Sequence, residues 1–274
     1  MRKFQKNIDK KKFKIFGIIP ARMAASRFPG KPLKRICNLP MIEHVYLRAK
    51  MFSFWDKLAI ATCDQEIKKF SESKKFPVIL TSKNHKRCLD RVQEAVTKLP
   101  KNLNIIDNDL IICVQGDEPM LNYKMISNCI KPFYKSNKIK CTVLAMDIIS
   151  KDQYLDPNIV KIVHDLNDEV LYTSRSPIPY SKKFSKNIGA KRIYGIFAFR
   201  WKYLKEFTKT KESFLEKVES CDSNRICDNG RGQYIARQKY TNSFSVDCYS
   251  DLKKVEKFIK KDPIFLKYYK NAFK

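Results

Sequence analysis

Three cations, Arg22, Arg27 and Lys31, share one short stretch of this chain, "IIPARMAASRFPGKPL", directly after an apolar run from Phe13 to Ile19. Side chains of that charge around a flexible Gly30 can wrap the oxygens of a triphosphate, with the N–H groups of the turn assisting. The segment lacks GxxxxGK[ST], so it is not a Walker loop. Taken alone, it also reads as a solvated basic loop. A second stretch, "VQGDEPML", ends an apolar run in Gln115 and Gly116, then sets Asp117 and Glu118 before Pro119. Carboxylates at that point are hard oxygen ligands suited to Mg²⁺ beside a triphosphate. A third, "SFSVDCYSDLKKV", leads alternating apolar residues into Asp247 ahead of a helical pattern. Asp247 reads equally well as a turn or cap residue. If the chain folds it back beside Asp117, the two can share a metal.

These residues need elements to hold them. The apolar runs "KIFGII", "KLAIAT", "FPVILT" and "DLIICVQ" alternate with the helically spaced "MIEHVYLRAKMF", "QEIKKFSES" and "DRVQEAVTKL". Such alternation predicts βαβ units and a parallel sheet. Ligands of such sheets bind outside the carboxyl ends of the strands. That rule gathers "PARMAASRFPGK", "TCD", "TSKNHKR" and "QGDEP" on one rim. Beyond about residue 140 the alternation stops. "CTVLAMDII", "NIVKIVHD", "EVLYTSRSPIPY" and "RIYGIFAFR" then read as longer strands of a mixed sheet or small lobe, and "DLKKVEKFIKKDPIFLKYYKNAF" as a helical tail. The organisation expected is a flexible basic leader over 1–13, one domain over 14–260 with a subdomain around 150–205, and a helical tail over 261–274.

Composition narrows the classes. At 274 residues and 43% hydrophobic content the chain can bury one sizeable core. Lys and Arg number 56 against 28 Asp and Glu, a formal charge of +28. That field draws anions, but the lysines are scattered, as on a solvated surface. Neither an RNP-like aromatic pattern nor a zinc module occurs, so no stable nucleic-acid partner is expected. The nine cysteines are odd in number and form no CxxC pair, which removes zinc-ribbon and thioredoxin readings and fits a reducing cytosol. The first apolar run is too short for a signal peptide, and no run is long enough to insert in a membrane. His44 reads as a helix residue and Tyr172 as packing, while His164 has no assigned role.

Five segments in register, "IIPARMAASRFPGKPL", "VQGDEPML", "NIVKIVHD", "LYTSRSPIP" and "SVDCYSDLKKV", resemble the 3-deoxy-manno-octulosonate cytidylyltransferase (CMP-Kdo synthetase) family, from about Lys14 to about Phe258. The resemblance implies an α/β fold, the nucleotidyltransferase (Rossmann-like) mixed sheet with a small dimerisation subdomain. It also implies a cytoplasmic homodimer with Mg²⁺ as cofactor. The implied reaction joins CTP and a 3-deoxy sugar acid into a CMP-sugar and pyrophosphate, for lipopolysaccharide or another surface glycan. Carried onto this chain, it gives Arg22 and Lys31, with Arg27 in the same loop, to the CTP phosphates, and Asp117 and Asp247 to Mg²⁺. Arg22, Lys31, Asp117 and Asp247 form the implied catalytic set. Arg175 and Glu219 fall where the family contacts the sugar acid, with Lys161 near them.

The pattern departs from the family in places. Against the base-binding H-x-S-G-T-[DE]-R, this chain has "HKRCLDR". His85, Asp90 and Arg91 match, with Gln115 joining them on the nucleotide, while Arg87, Cys88 and Leu89 replace the small trio. The acid of the family's "ATD" is Cys63 here, with Asp64 next to it. The sugar-facing His before the family's Gly-Ile-Tyr corresponds to Ile193. Its Gln after the "IE" helix corresponds to Ser223. These changes leave another base open, and for the acceptor they allow Kdo, an 8-amino-Kdo or a nonulosonate-like acid.

Overall fold

The fold is that of a computed structural model, which describes residues 12–24 and 27–272. The basic leader expected over 1–13 lies almost wholly outside them. The chain starts as alternating elements: β1 (Ile15–Ala21), a small hairpin of β2 (Arg35–Ile36) and β3 (Leu39–Pro40), α1 (Met41–Lys50), β4 (Lys57–Thr62), α2 (Gln65–Ser73), β5 (Val78–Leu80), α3 (Cys88–Thr97) and β6 (Leu110–Val114). It continues through α4 (Tyr123–Lys135), β7 (Cys141–Asp147), α5 (Lys151–Leu155), β8 (Lys161–His164), β9 (Val170–Ser174) and β10 (Lys191–Arg200). Then come α6 (Trp201–Lys209), α7 (Phe214–Glu219), α8 (Asp222–Asp228), β11 (Tyr234–Gln238), α9 (Tyr249–Ile259) and α10 (Pro263–Ala272).

Two compact units result. The first is built from Lys14–Ile105, Ile111–Ile126 and Asn242–Lys274. Its strands run in the order β6-β1-β4-β5, with β1, β4 and β5 parallel. All seven residues of β1 and all five of β6 are buried, the signature of strands covered on both faces. The strand expected to stop before Pro20 runs on to Ala21, because burial of the whole strand outweighs the one ladder donor that proline lacks. Parallel register sets Ala21 beside Thr62 and Thr62 beside Leu80, so the segments that follow all leave from one rim.

The helical tail folds back onto this unit as two helices, the second opening on Pro263, whose missing N–H costs nothing in a first turn. Val246, Leu252, Val255, Ile259 and Phe265 pack with Ile36, Met41 and Met120. A polar network lies inside that packing. His44 Nδ1 accepts from the Tyr268 hydroxyl at 2.6 Å, and its Nε2 donates to the Ile36 carbonyl at 2.8 Å. Arg48 reaches Asp262 at 2.7 Å. Burial, with Arg48 adding to it, lowers the His44 pKa to about 4. The unfolded imidazole titrates near 6.5, so its stabilising contribution is complete above that pH and drains away as pH falls towards 4. The shift corresponds to about 3 kcal/mol. Urea denaturation of the wild type and His44→Gln between pH 7 and 4 should show this loss in the wild type alone; parallel curves would remove His44 as its source.

The second unit is built from Ile106–Leu110 and Ser127–Thr241, with Phe13 packed on Tyr134. Its sheet is mixed: β10 lies antiparallel to β7, and β11 parallel to β7. β8 and β9 form an antiparallel ladder joined to β10 at Lys191 and Arg192. Beside that ladder α7 and α8 form a short helical pair. Asn224 of α8 accepts from the Thr173 hydroxyl at 2.7 Å and donates to the Thr173 carbonyl at 3.0 Å, fastening the pair to β9.

Candidate active site

The rim of the first unit's sheet opens into a cleft of about 280 Å³. Its lining includes Arg22, Arg27, Lys31, His85, Arg91 and Gln115. Glycine is needed at position 116 because a Cβ there would stand 2.7 Å from the Pro20 carbonyl oxygen, so tightly do the ends of β1 and β6 approach. The loop after β1 closes on itself through Gly30, at φ 71°, whose N–H donates to the Met23 carbonyl at 2.9 Å. A 3-10 turn over Lys31–Leu33 follows and directs Lys31 inward.

Asp117 and Asp247 converge on that lysine. Lys31 Nζ donates to Asp117 Oδ2 at 2.9 Å and to the Val246 carbonyl at 2.9 Å, and lies 3.8 Å from Asp247 Oδ1. Arg27 holds the same Asp247 oxygen at 3.0 Å. One backbone bond brings the two acids together: the Val246 N–H donates to the Asp117 carbonyl at 2.9 Å. The fully buried Val246 fixes that junction in the core, and α9 begins two residues beyond Asp247, its first turn capped by Asp251. Burial works against the Lys31 charge, but Asp117 and then Asp247 outweigh it and raise the ammonium's pKa. Burial and the neighbouring Asp117 raise the pKa of Asp247 against the pull of Lys31 and Arg27. Asp117 Oδ1 is buried with no hydrogen-bond partner. A crowded pair of acids with an unspent oxygen is a donor set that fits a hard divalent cation.

The base-side residues are distributed unevenly. His85 Nε2 is bonded to Glu94, and Arg91, buried in α3, donates to the Thr81 hydroxyl and to the Ser82 carbonyl. The second terminal nitrogen of Arg91 is buried without a partner. Burial opposes ionisation of Glu94, yet hydrogen bonds from Lys98, the Ser82 N–H and His85 hold its pKa down at about 2. Asp90 sits half-buried on α3 and is not among the cleft-lining residues. Of the three departures from the family pattern, Arg87 and Cys88 line the cleft, whereas Leu89 is fully buried. Their place on the rim after β5 was the signal available in sequence.

The four residues expected at the sugar acid all belong to the second unit. Arg175 Nε donates to the Glu219 carbonyl at 2.8 Å, and the Arg175 N–H donates to Glu219 Oε2 at 2.8 Å. The Tyr172 and Ser174 hydroxyls donate to Glu219 Oε1, so Tyr172 does more than pack. These bonds overcome the effect of burial and hold the Glu219 pKa down. Lys161 and Ser223 differ from Arg175 and Glu219 in being fully buried. The Lys161 ammonium is spent on the carbonyls of Asp156, Ile159 and Arg175, and burial lowers its pKa to about 8. Ser223 is a buried residue of the first turn of α8. Arg175 and Glu219 remain partly exposed.

A family model described as cytidylyltransferase matches residues 16–261. A 3-deoxy-manno-octulosonate cytidylyltransferase of Thermodesulfovibrio yellowstonii is 38% identical over 246 residues, 88% of this chain and 96% of that protein. One of Fusobacterium nucleatum is 36% identical over 253 residues, 92% of this chain and 99% of that protein. Among solved structures, a CMP:2-keto-3-deoxy-manno-octonic acid synthetase complexed with CTP matches with TM-score 0.80 and 29% identity, over 90% of this chain and 99% of that one. The expected α/β architecture and the expected kinship are both borne out. With the match running from the first strand into the returning C-terminal helices, this chain belongs to the cytidylyltransferase family, among relatives that are 3-deoxy-manno-octulosonate cytidylyltransferases.

Proposed function

We propose that the cleft binds CTP and that the protein transfers its cytidylyl group to 3-deoxy-manno-octulosonate or a close relative, releasing pyrophosphate. The observation that carries this reading is the meeting of Asp117 and Asp247 on Lys31, in a cleft whose lining also includes Arg22, Arg27 and Arg91. Two anions must be brought together, and charge must be held on the departing phosphates, so the work is mainly electrostatic. Arg22, Arg27 and Lys31 receive the phosphates. The acceptor's anomeric hydroxyl attacks the α-phosphorus, its proton passes to solvent, and the bond to pyrophosphate breaks. Asp117 and Asp247 are the residues to hold a divalent ion, Mg²⁺ in this proposal, which when bound neutralises phosphate charge and acidifies the attacking hydroxyl. Arg175, fixed by Glu219, suits the planar carboxylate of the acceptor.

Pyrophosphate release across the four NTPs and a panel of 3-deoxy sugar acids, with Mg²⁺, tests the whole reading. CTP with Kdo is expected to exceed every other pair by at least about tenfold, the discrimination typical of a few base contacts. Preference for another nucleotide would trace to Arg87 and Cys88, and preference for another acid to the surroundings of Ile193. No release with CTP and any acid would end the proposal.

We also place the protein in the cytoplasm as a homodimer. Among the described residues no helix is long and apolar enough to cross a membrane. Exposed Leu171, Phe214 and Val218, the last two one turn apart on α7, supply apolar surface in the second unit. Sedimentation equilibrium gives the mass that decides the homodimer.

A further inference from the structure

The loop carrying Arg22, Arg27 and Lys31 is fastened to the neighbouring strand end. The Met23 N–H donates to Asp64 Oδ2 at 2.8 Å. The Met23 carbonyl in turn accepts from Gly30, and Gly30 opens the turn that bears Lys31. One carboxylate therefore anchors a run of backbone hydrogen bonds that ends at the lysine. Asp64 is also the residue before α2, where an aspartate ordinarily caps the first turn. Here its side chain makes no cap hydrogen bond. Its acceptor is turned towards the loop, where it also takes the Cys63 thiol hydrogen at 3.5 Å. A helix that forgoes its cap while the same carboxylate holds a loop across the rim points to a role for that loop.

We propose that Asp64 is a positioning residue for the phosphate loop. It sets Met23, and through it Gly30 and Lys31, before the nucleotide arrives. The inference rests on the reading of the cleft as a nucleotide site. Pre-organised donors need no ordering at the moment of binding, so an unfastened loop draws on binding free energy instead. Loss of a hydrogen bond to a charged group corresponds to about tenfold or more in affinity.

The test compares the full-length wild type with Asp64→Ala, Asp64→Asn and Asp64→Ser, measuring turnover against CTP and against the sugar acid together with thermal midpoints. Asp64→Ala should raise KM for CTP about tenfold, with kcat and the sugar-acid KM within about twofold. Asp64→Asn keeps an acceptor and should recover most of that loss. Serine caps helices as well as aspartate does but is too short to reach Met23. Asp64→Ser should therefore retain thermal stability and keep the raised KM. If serine restored the nucleotide KM, or if Asp64→Ala lowered kcat and stability at unchanged KM, Asp64 would be a helix cap and nothing more. Calorimetric binding of inorganic tripolyphosphate separates this proposal from the larger one. A wild type inactive with CTP defeats the assigned reaction, whereas equal tripolyphosphate affinity in wild type and Asp64→Ala defeats the positioning role.

Discussion

Asp247→Asn is expected to lower turnover by about 10²–10³-fold while leaving the thermal midpoint unchanged or slightly higher. On the proposed reading of the cleft, the loss follows from removing half of the anionic pair assigned to the metal beside the phosphates, a transition-state deficit of about 3–4 kcal/mol. The stability side has the opposite sign. Burial and Asp117 raise the folded pKa of Asp247 above its ordinary value. A carboxyl with a raised folded pKa favours the fold below its unfolded pKa, and that benefit disappears as pH rises. At neutral pH the ionised group is therefore a burden on the fold that the neutral amide relieves. The local structure does not depend on the charge, because the Val246–Asp117 backbone bond and the Asp251 cap of α9 both remain. Asp117→Asn should cripple turnover to a similar degree, and the double variant should be little worse than either single one, as for groups that act as a unit. Steady-state kinetics alongside thermal melts check both halves. Wild-type turnover in either single variant would end the metal assignment.

The parts of this architecture that showed in the sequence are those with a local cause. β1, β4 and β6 are covered on both faces, so they stand out as unbroken apolar runs between amphipathic helices, and the rim rule then gathers the loops that follow them. The cations of the first loop needed only that rule. The approach of Asp247 to Asp117 came only through the family resemblance, because it depends on one backbone hydrogen bond and on the core packing of Val246, neither of which has a residue pattern. The burial of Lys161 was hidden for a related reason. A lysine normally signals solvent, yet three carbonyls can satisfy its ammonium inside a fold, and their convergence is a tertiary fact. Asp64 lay in plain view beside Cys63, but its target, Met23, is adjacent only through the pairing of Ala21 with Thr62. The pairing of Glu216 with Arg225 was equally hidden, since nine positions on one helix followed by another match no spacing rule for side-chain pairs.

That pair carries the largest stability effect expected in the molecule. Glu216 is fully buried and Arg225 nearly so, and two bonds of 2.7 Å join the carboxylate to the guanidinium. Arg225 also lies over the Phe207 ring, with 4.5 Å from its central carbon to the ring centroid, so its position is set on more than one side. Glu216→Gln leaves a guanidinium in the interior without its counter-charge, which costs about 3–5 kcal/mol. Replacing both residues with methionine removes the charges together and should cost clearly less than either single change, because the desolvation of two ions is relieved along with their attraction. Urea denaturation of the two single variants and the double one measures this ordering, and a double variant worse than both singles would mean that packing rather than charge dominates. The consequence reaches function through the short chain between the two acids. Glu216 caps α7 from within, and Glu219, at the end of the same helix, holds Tyr172, Ser174 and Arg175. Loosening that helix should therefore raise KM for the sugar acid while leaving KM for CTP where it was, because the cleft proposed for CTP is lined wholly by the other unit. A rise in both constants together would count against the assignment of the acceptor to Arg175 and Glu219.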